Sequence, residues 1–205
     1  LKNSFENQFI IGSRYSYTYN SQLREDPLGT SQKRKIRTHN FYFNGNVDVA
    51  GNLIHSVQQI GRERQDSLEI FGSPYSQYVK GDIDLRYYWQ IDKHNKLATR
   101  LVMGAGYAYG NSETLPYIKQ FAIGGSNSLR AFQARSVGPG TYYIRDAYPD
   151  AQTLFIDQRG DMKLEGNAEY RFDIFKILKG AVFVDAGNIW TIRDERCAVV
   201  VDPGE

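Results

Sequence analysis

The sequence predicts an all-β protein, an antiparallel transmembrane β-barrel. Three observations predict it: polar and apolar residues alternate with period two, the alternating stretches outlast ordinary globular strands, and tyrosine and tryptophan gather near their ends. Alternation places successive side chains on opposite faces of a strand, whereas a helix would scatter both sets around its axis. Globular strands average about five or six residues, while a tilted membrane strand needs about 9 to 11.

Six strands are expected, over residues 5–20, 35–51, 76–91, 96–110, 161–174 and 178–190, the first two carrying the weaker pattern. In the third, Val79, Ile83, Leu85, Tyr87, Trp89 and Ile91 share one face, opposed by Lys80, Asp82, Asp84, Arg86, Tyr88 and Gln90. In the fourth, Leu97, Leu101, Met103, Ala105, Tyr107 and Tyr109 form the apolar face, and the opposite side turns glycine-rich at Gly104 and Gly106, as it would beneath something tightly packed. The fifth alternates without error, from Met162, Leu164 and Gly166 to Tyr170, Phe172 and Ile174 on one side, against Lys163, Glu165, Asn167, Glu169 and Arg171. The sixth sets Val182, Val184 and Trp190 outward and Lys179, Phe183, Asp185 and Gly187 opposite.

The short connections at Asp92-Lys93-His94-Asn95 and at 173–179 make their flanking strands antiparallel hairpin partners. Residues 111–160 read as a long loop and 52–75 as an irregular or partly helical one. Alternation alone leaves open a soluble sandwich or lipocalin-like barrel, with the apolar face inside. Tyr15, Tyr17, Tyr19, Tyr107, Tyr109, Trp89 and Trp190 near strand ends favour a membrane, where aromatic girdles mark the interfaces. Six strands cannot close around a polar interior, and neither a leader peptide nor a strong closing strand is visible, so a section of a longer chain is expected.

Composition excludes several classes. With 41% hydrophobic and 14% aromatic residues the chain has the material to fold, and its 15 tyrosines, 11 phenylalanines and 19 glycines suit strands and turns. No run of eighteen apolar residues offers a membrane helix. A net charge of +2 gives no case for nucleic acid, and the basic run Lys33-Arg34-Lys35-Ile36-Arg37 reads as a solvated turn or membrane-edge cluster. The lone Cys197 has no partner for an intrachain disulfide. No catalytic or metal site is expected, because His39, His55 and His94 stand in separate segments without ligand spacing, and Ser126 and Ser128 have no nearby base. Asp82 and Asp84 alternate with Lys80 and Arg86 as in a charge-balanced lumen, and Gly104-Ala105-Gly106 lies in a strand where a phosphate loop needs a helix. The 193–205 stretch, with Ala198-Val199-Val200-Val201, fits no strand pattern.

The loop contains Gln120-Phe121-Ala122-Ile123-Gly124-Gly125-Ser126-Asn127-Ser128-Leu129-Arg130-Ala131-Phe132, followed by Gly138-Pro139-Gly140. With Asn167-Ala168-Glu169-Tyr170-Arg171-Phe172 and Phe183-Val184-Asp185-Ala186-Gly187-Asn188 after it, the chain resembles the outer-membrane-protein-85 superfamily, the BamA/TamA-type assembly factors. Their sixth extracellular loop carries Gly-Gly-x-x-Ser-Val/Ile-Arg-Gly-Phe, and the later segments resemble their twelfth and thirteenth strands. Ala131 stands where that pattern has glycine. Leu115-Pro116-Tyr117 and Gly138-Pro139-Gly140 are most similar to the TamA-like proteins of Bacteroidota. The resemblance implies that residues 1–205 are the C-terminal part of a sixteen-stranded barrel domain in the bacterial outer membrane, with loop 111–160 folded into the lumen. It implies assembly, insertion or translocation of polypeptides. The partners would be outer-membrane lipid, client outer-membrane or surface polypeptides, and a periplasmic or inner-membrane protein. No cofactor is implied. The alternative is a passive outer-membrane pore or a soluble ligand-binding barrel.

Such a loop would bring Arg130 onto the polar faces of the last hairpin. Away from bulk water its guanidinium needs a bidentate carboxylate, so a latch from Arg130 to Asp185 is expected, with Glu169 as second acceptor. Gly124 and Gly125 would permit the sharp turn, Leu129 and Phe132 would pack the loop with Phe132 near Phe183, and Gly187 would clear space beside Asp185.

Overall fold

The computed structural model describes residues 9–23, 38–52, 69–70, 73–141, 157–175 and 177–192. The starts of the first two expected strands, the basic run, His55, Cys197 and 193–205 lie outside the described residues.

Six long strands form one sheet: β1 (Gly12–Asn20), β2 (His39–Ala50), β5 (Tyr78–Gln90), β6 (Asn95–Ala108), β7 (Met162–Asp173) and β8 (Lys179–Trp190), each antiparallel to its neighbours in that order. Between β2 and β5 a two-stranded ribbon pairs β3 (Glu69–Ile70) with β4 (Ser73–Pro74), where the sequence suggested an irregular or partly helical stretch. Two residues per strand are too few to leave a period-two signal. No helix among the described residues is long and apolar enough to cross a membrane, which says nothing of strands.

The register aligns the alternating faces across the sheet. One row joins Tyr17, Gly45, Ile83, Met103 and Leu164; the neighbouring row on the other face joins Asp84, Val102, Glu165 and Gly187. Ile83, Met103, Leu164, Val182 and Val184 are exposed, while Asp48 and Glu165 are buried. A soluble barrel would reverse this, because apolar surface in water is unfavourable by about 25 cal/mol per Å².

The polar face is covered by the β6–β7 loop. Hydrophobic packing sits there in two clusters, Ala50, Tyr78, Ala108 and Leu115 near the loop base, and Phe121, Ile123, Leu129 and Ile189 further along. Three loop side chains occupy places that a wall Cβ would fill. A Cβ on Gly106 would lie 2.7 Å from Leu115, one on Gly104 2.5 Å from the Phe121 ring, and one on Gly187 2.7 Å from Ile123. The glycines on β6 are therefore sockets for the loop.

The loop leaves and re-enters the wall at one end of the strands, where the connection from β2 to β5 also lies. The short turns after β5 and β7 lie at the other end, together with the connection from β1 to β2, because Asn20 faces Tyr42 and His39 faces Trp89.

Candidate loop-to-wall latch

The loop enters over β6 through a 3-10 turn, Tyr117–Lys119, and is tied back by an antiparallel bridge between Phe121 and Gly160. Lys119 Nζ donates to Asp48 Oδ2 at 2.7 Å, and this partner raises the Lys119 pKa. Lys80 Nζ donates to the Lys119 carbonyl at 2.6 Å and lies over the Phe121 ring. Burial disfavours the charged form of Asp157, yet the Tyr117 hydroxyl, donating at 2.6 Å, and the Arg159 guanidinium at 3.0 Å outweigh it and hold the carboxyl below its usual range. The Arg159 guanidinium also stacks over the Tyr117 ring.

Past Ile123 the chain reverses through Gly124 and Gly125, with φ of 107° and 91°. These are left-handed values that cost an L side chain steric strain, and a Cβ on Gly124 would meet the Gln133 carbonyl at 2.3 Å. The reversal is closed by the Gly125 N–H donating to the Phe132 carbonyl and the Arg135 N–H to the Ile123 carbonyl, both at 2.9 Å. Ala131 does not share the unusual backbone, since Arg135 is the only non-glycine with positive φ among the described residues. Alanine is tolerated where the family pattern has glycine.

Leu129, buried against Phe121, Ile123 and Ile189, aims the next residue at the wall. Arg130 Nε and Nη2 donate to Asp185 Oδ2 and Oδ1 at 2.8 and 2.9 Å, and the Arg130 main-chain N–H reaches the same carboxylate at 3.2 Å. Nη1 donates to Glu169 Oε2, while Arg171 donates to that carboxylate's other oxygen. The Phe183 ring lies 3.7 Å from the Arg130 guanidinium carbon. Asn167, directly opposite Asp185 in the ladder, donates to Asp185 Oδ1 at 3.0 Å and to the Ser128 carbonyl at 2.9 Å. A planar fork donating to two carboxylates with an aromatic ring against it is an arrangement that lysine cannot reproduce.

Arg130, Asp185 and Glu169 thus come together, with Gly124, Gly125 and Leu129 shaping the approach. Two expected roles differ. Phe132 is 53% exposed and contributes its carbonyl to the turn, and it is the Arg130 guanidinium that lies over the Phe183 ring. Gly187 makes room for Ile123, whose methyl group needs that space.

Sequence reasoning missed a second clasp. Glu165 is 0% exposed, accepts the Ser128 hydroxyl at 2.6 Å and pairs with Lys163 at 2.9 Å. Ser128 Oγ also accepts the Gly124 N–H at 3.2 Å. Arg100 donates to the Asn127 carbonyl at 2.8 Å and shares Asp84 with Arg86. The usable signal was spacing: Ser128 and Arg130 are two apart on the loop, as Glu165, Asn167 and Glu169 are along one face of β7. His39 and His94 lie apart, against Tyr87 and Asp173 respectively, and among the described residues no cluster of His, Cys, Asp or Glu could hold a metal ion.

An antiparallel wall with its apolar face outward and an arginine-bearing loop clasped to its charged face defines a class of barrel proteins that carry their own loop across the wall. The Omp85 superfamily domain matches residues 58–197, and the chain belongs to that superfamily, proteins of the bacterial outer membrane. Among curated relatives, the outer membrane protein assembly factor BamA of Neisseria meningitidis serogroup B is 24% identical over 119 residues, 56% of this chain. The match spans 14% of that relative's length.

Proposed function

We propose that residues 1–205 form the C-terminal part of a sixteen-stranded barrel that assembles or inserts outer-membrane proteins or translocates polypeptides. In this reading loop 111–160 is folded into the lumen and latched by Arg130 to Asp185 and Glu169. The observation that carries it is the fork of Arg130 on Asp185, which ties the loop apex to the wall through a charged side chain. The outward apolar face supports a lipid-facing surface, and the function is mechanical, with no catalytic step and no cofactor assigned. Client outer-membrane or surface polypeptides and a periplasmic or inner-membrane protein are the proposed partners. The wording of Leu115-Pro116-Tyr117 and Gly138-Pro139-Gly140 supports a TamA-like protein of Bacteroidota as the finer reading.

Planar-bilayer conductance and client insertion, measured on the full-length protein, test the reading. Arg130→Ala should increase open-channel events and reduce insertion of a client barrel, with Arg130→Lys intermediate. A wild-type protein that conducts steadily, with no change on Arg130→Ala, would identify a passive pore.

A further inference from the structure

The turn between β7 and β8 carries four apolar residues around a single lysine, Lys176, where its neighbour is polar. Ile177 is 98% exposed and Phe175 74%, with Leu178 and Ile174 exposed beside them. The turn after β5 instead reads Asp92-Lys93-His94-Asn95, and the Asp92 carboxylate accepts the main-chain N–H groups of His94 at 2.7 Å and Asn95 at 2.8 Å. An exposed apolar patch of this kind marks a surface that meets something other than water.

Two features identify the occupant. The flanks of the patch continue the outer face, since Ile174 follows Tyr170 and Phe172 in the alternation of β7 and Leu178 precedes Val182 and Val184 in that of β8, with Phe175 and Ile177 at the tip between them. Its polar flank points the other way, with Asp173 and Lys179 paired at 3.9 Å on the opposite side of the same hairpin. Part of the turn's main chain, among the described residues, is hydrogen-bonded to itself. The Ile174 and Phe175 N–H groups donate to the Leu178 carbonyl at 2.9 and 3.1 Å, and the Leu178 N–H donates to the Phe175 carbonyl at 3.2 Å. Short barrel turns face the periplasm while long loops face outward, which assigns the leaflet.

We propose that the β7–β8 turn is a membrane anchor that inserts Phe175 and Ile177 into the periplasmic-leaflet interface of the outer membrane. The proposal rests on the reading of the outer face as lipid-facing. It commits the turn to lipid rather than to a protein partner.

Nitroxide labels at Ile177→Cys, Lys93→Cys and Val184→Cys test it. They are placed one at a time in the full-length protein free of other cysteines and reconstituted in phosphatidylcholine/phosphatidylglycerol vesicles. Collision with oxygen reports lipid and collision with a water-soluble nickel chelate reports water. The expected oxygen-to-nickel ratio at 177 is several-fold above that at 93 and approaches that at 184. A label at 177 that matches 93, while 184 reads lipid, overturns the anchor alone. One shielded from both reagents also overturns it, because a protein then covers the turn. Water-like readings at both 184 and 177 overturn the lipid-facing reading together with the anchor.

Discussion

The loop is held to the wall in two different ways, and the difference is chemical. Near its base, Leu115, Phe121 and Ile123 fit spaces left by Gly106, Gly104 and Gly187, so attachment there is mainly a matter of shape, with the Lys119 pair to Asp48 beside it. At its apex, Ser128 and Arg130 meet Glu165, Glu169 and Asp185, so attachment there is a matter of charge and direction. Packing of the first kind is indifferent to salt and pH. Charge pairing depends on both and can be released without disturbing a core.

The largest effect is expected at the apex. Arg130→Ala leaves Asp185 and Glu169 facing each other without their shared cation, and loss of one partner of a largely buried pair costs about 3 kcal/mol. Amide exchange of residues 123–135 should accelerate by roughly two orders of magnitude if that cost is felt as local opening. Unchanged exchange would mean that shape alone holds the loop. Gly104→Leu tests the converse, because its Cβ would overlap the Phe121 ring, and overpacking of that sort costs about 1–3 kcal/mol. Its expected signature is faster exchange at 119–123 with the Arg130 contact retained. Ser128→Ala should be milder, about 1 kcal/mol, by removing a hydroxyl that serves both Glu165 and the Gly124 N–H.

The smallest effect is the dependence on acid. Asp157 titrates below its usual range when folded, so the stability it adds is present above the ordinary carboxylate pKa and is lost as pH falls through the depressed one. Protection at 158–160, corrected for the intrinsic pH dependence of exchange, should therefore be full above the ordinary carboxylate pKa and fall progressively as pH drops from there through the depressed one. The Leu115 socket should show no such dependence, and quickening of both together would indicate general unfolding.

Much of this was legible in the chain because membrane strands write their two faces alternately. Met162 to Ile174 declared a complete wall strand, and the glycines at 104 and 106 announced a close neighbour without naming it. Arg130, Asp185 and Glu169 could be matched because each lies in a motif and each carries a charge that needs a partner away from water. Glu165 was invisible as a site, since nothing in an alternating strand distinguishes the buried carboxylate from Glu169, equally acidic and four residues on along the same face. Burial there is decided by where Ser128 lands, a fact of three dimensions. Phe132 failed for the opposite reason: an aromatic ring suggests packing, but the turn uses its carbonyl.

The pairing of β6 with β7 runs from Asn95 opposite Phe172 to Ala105 opposite Met162, and none of those main-chain bonds passes through the segment that departs after Ala108. The excursion is thus a flap tethered at the rim of a sheet whose strands are already bound to each other. Drawn out, it would uncover Glu165, Glu169 and Asp185 to water that hydrates them readily, and the sheet would keep its form while its charged face changed.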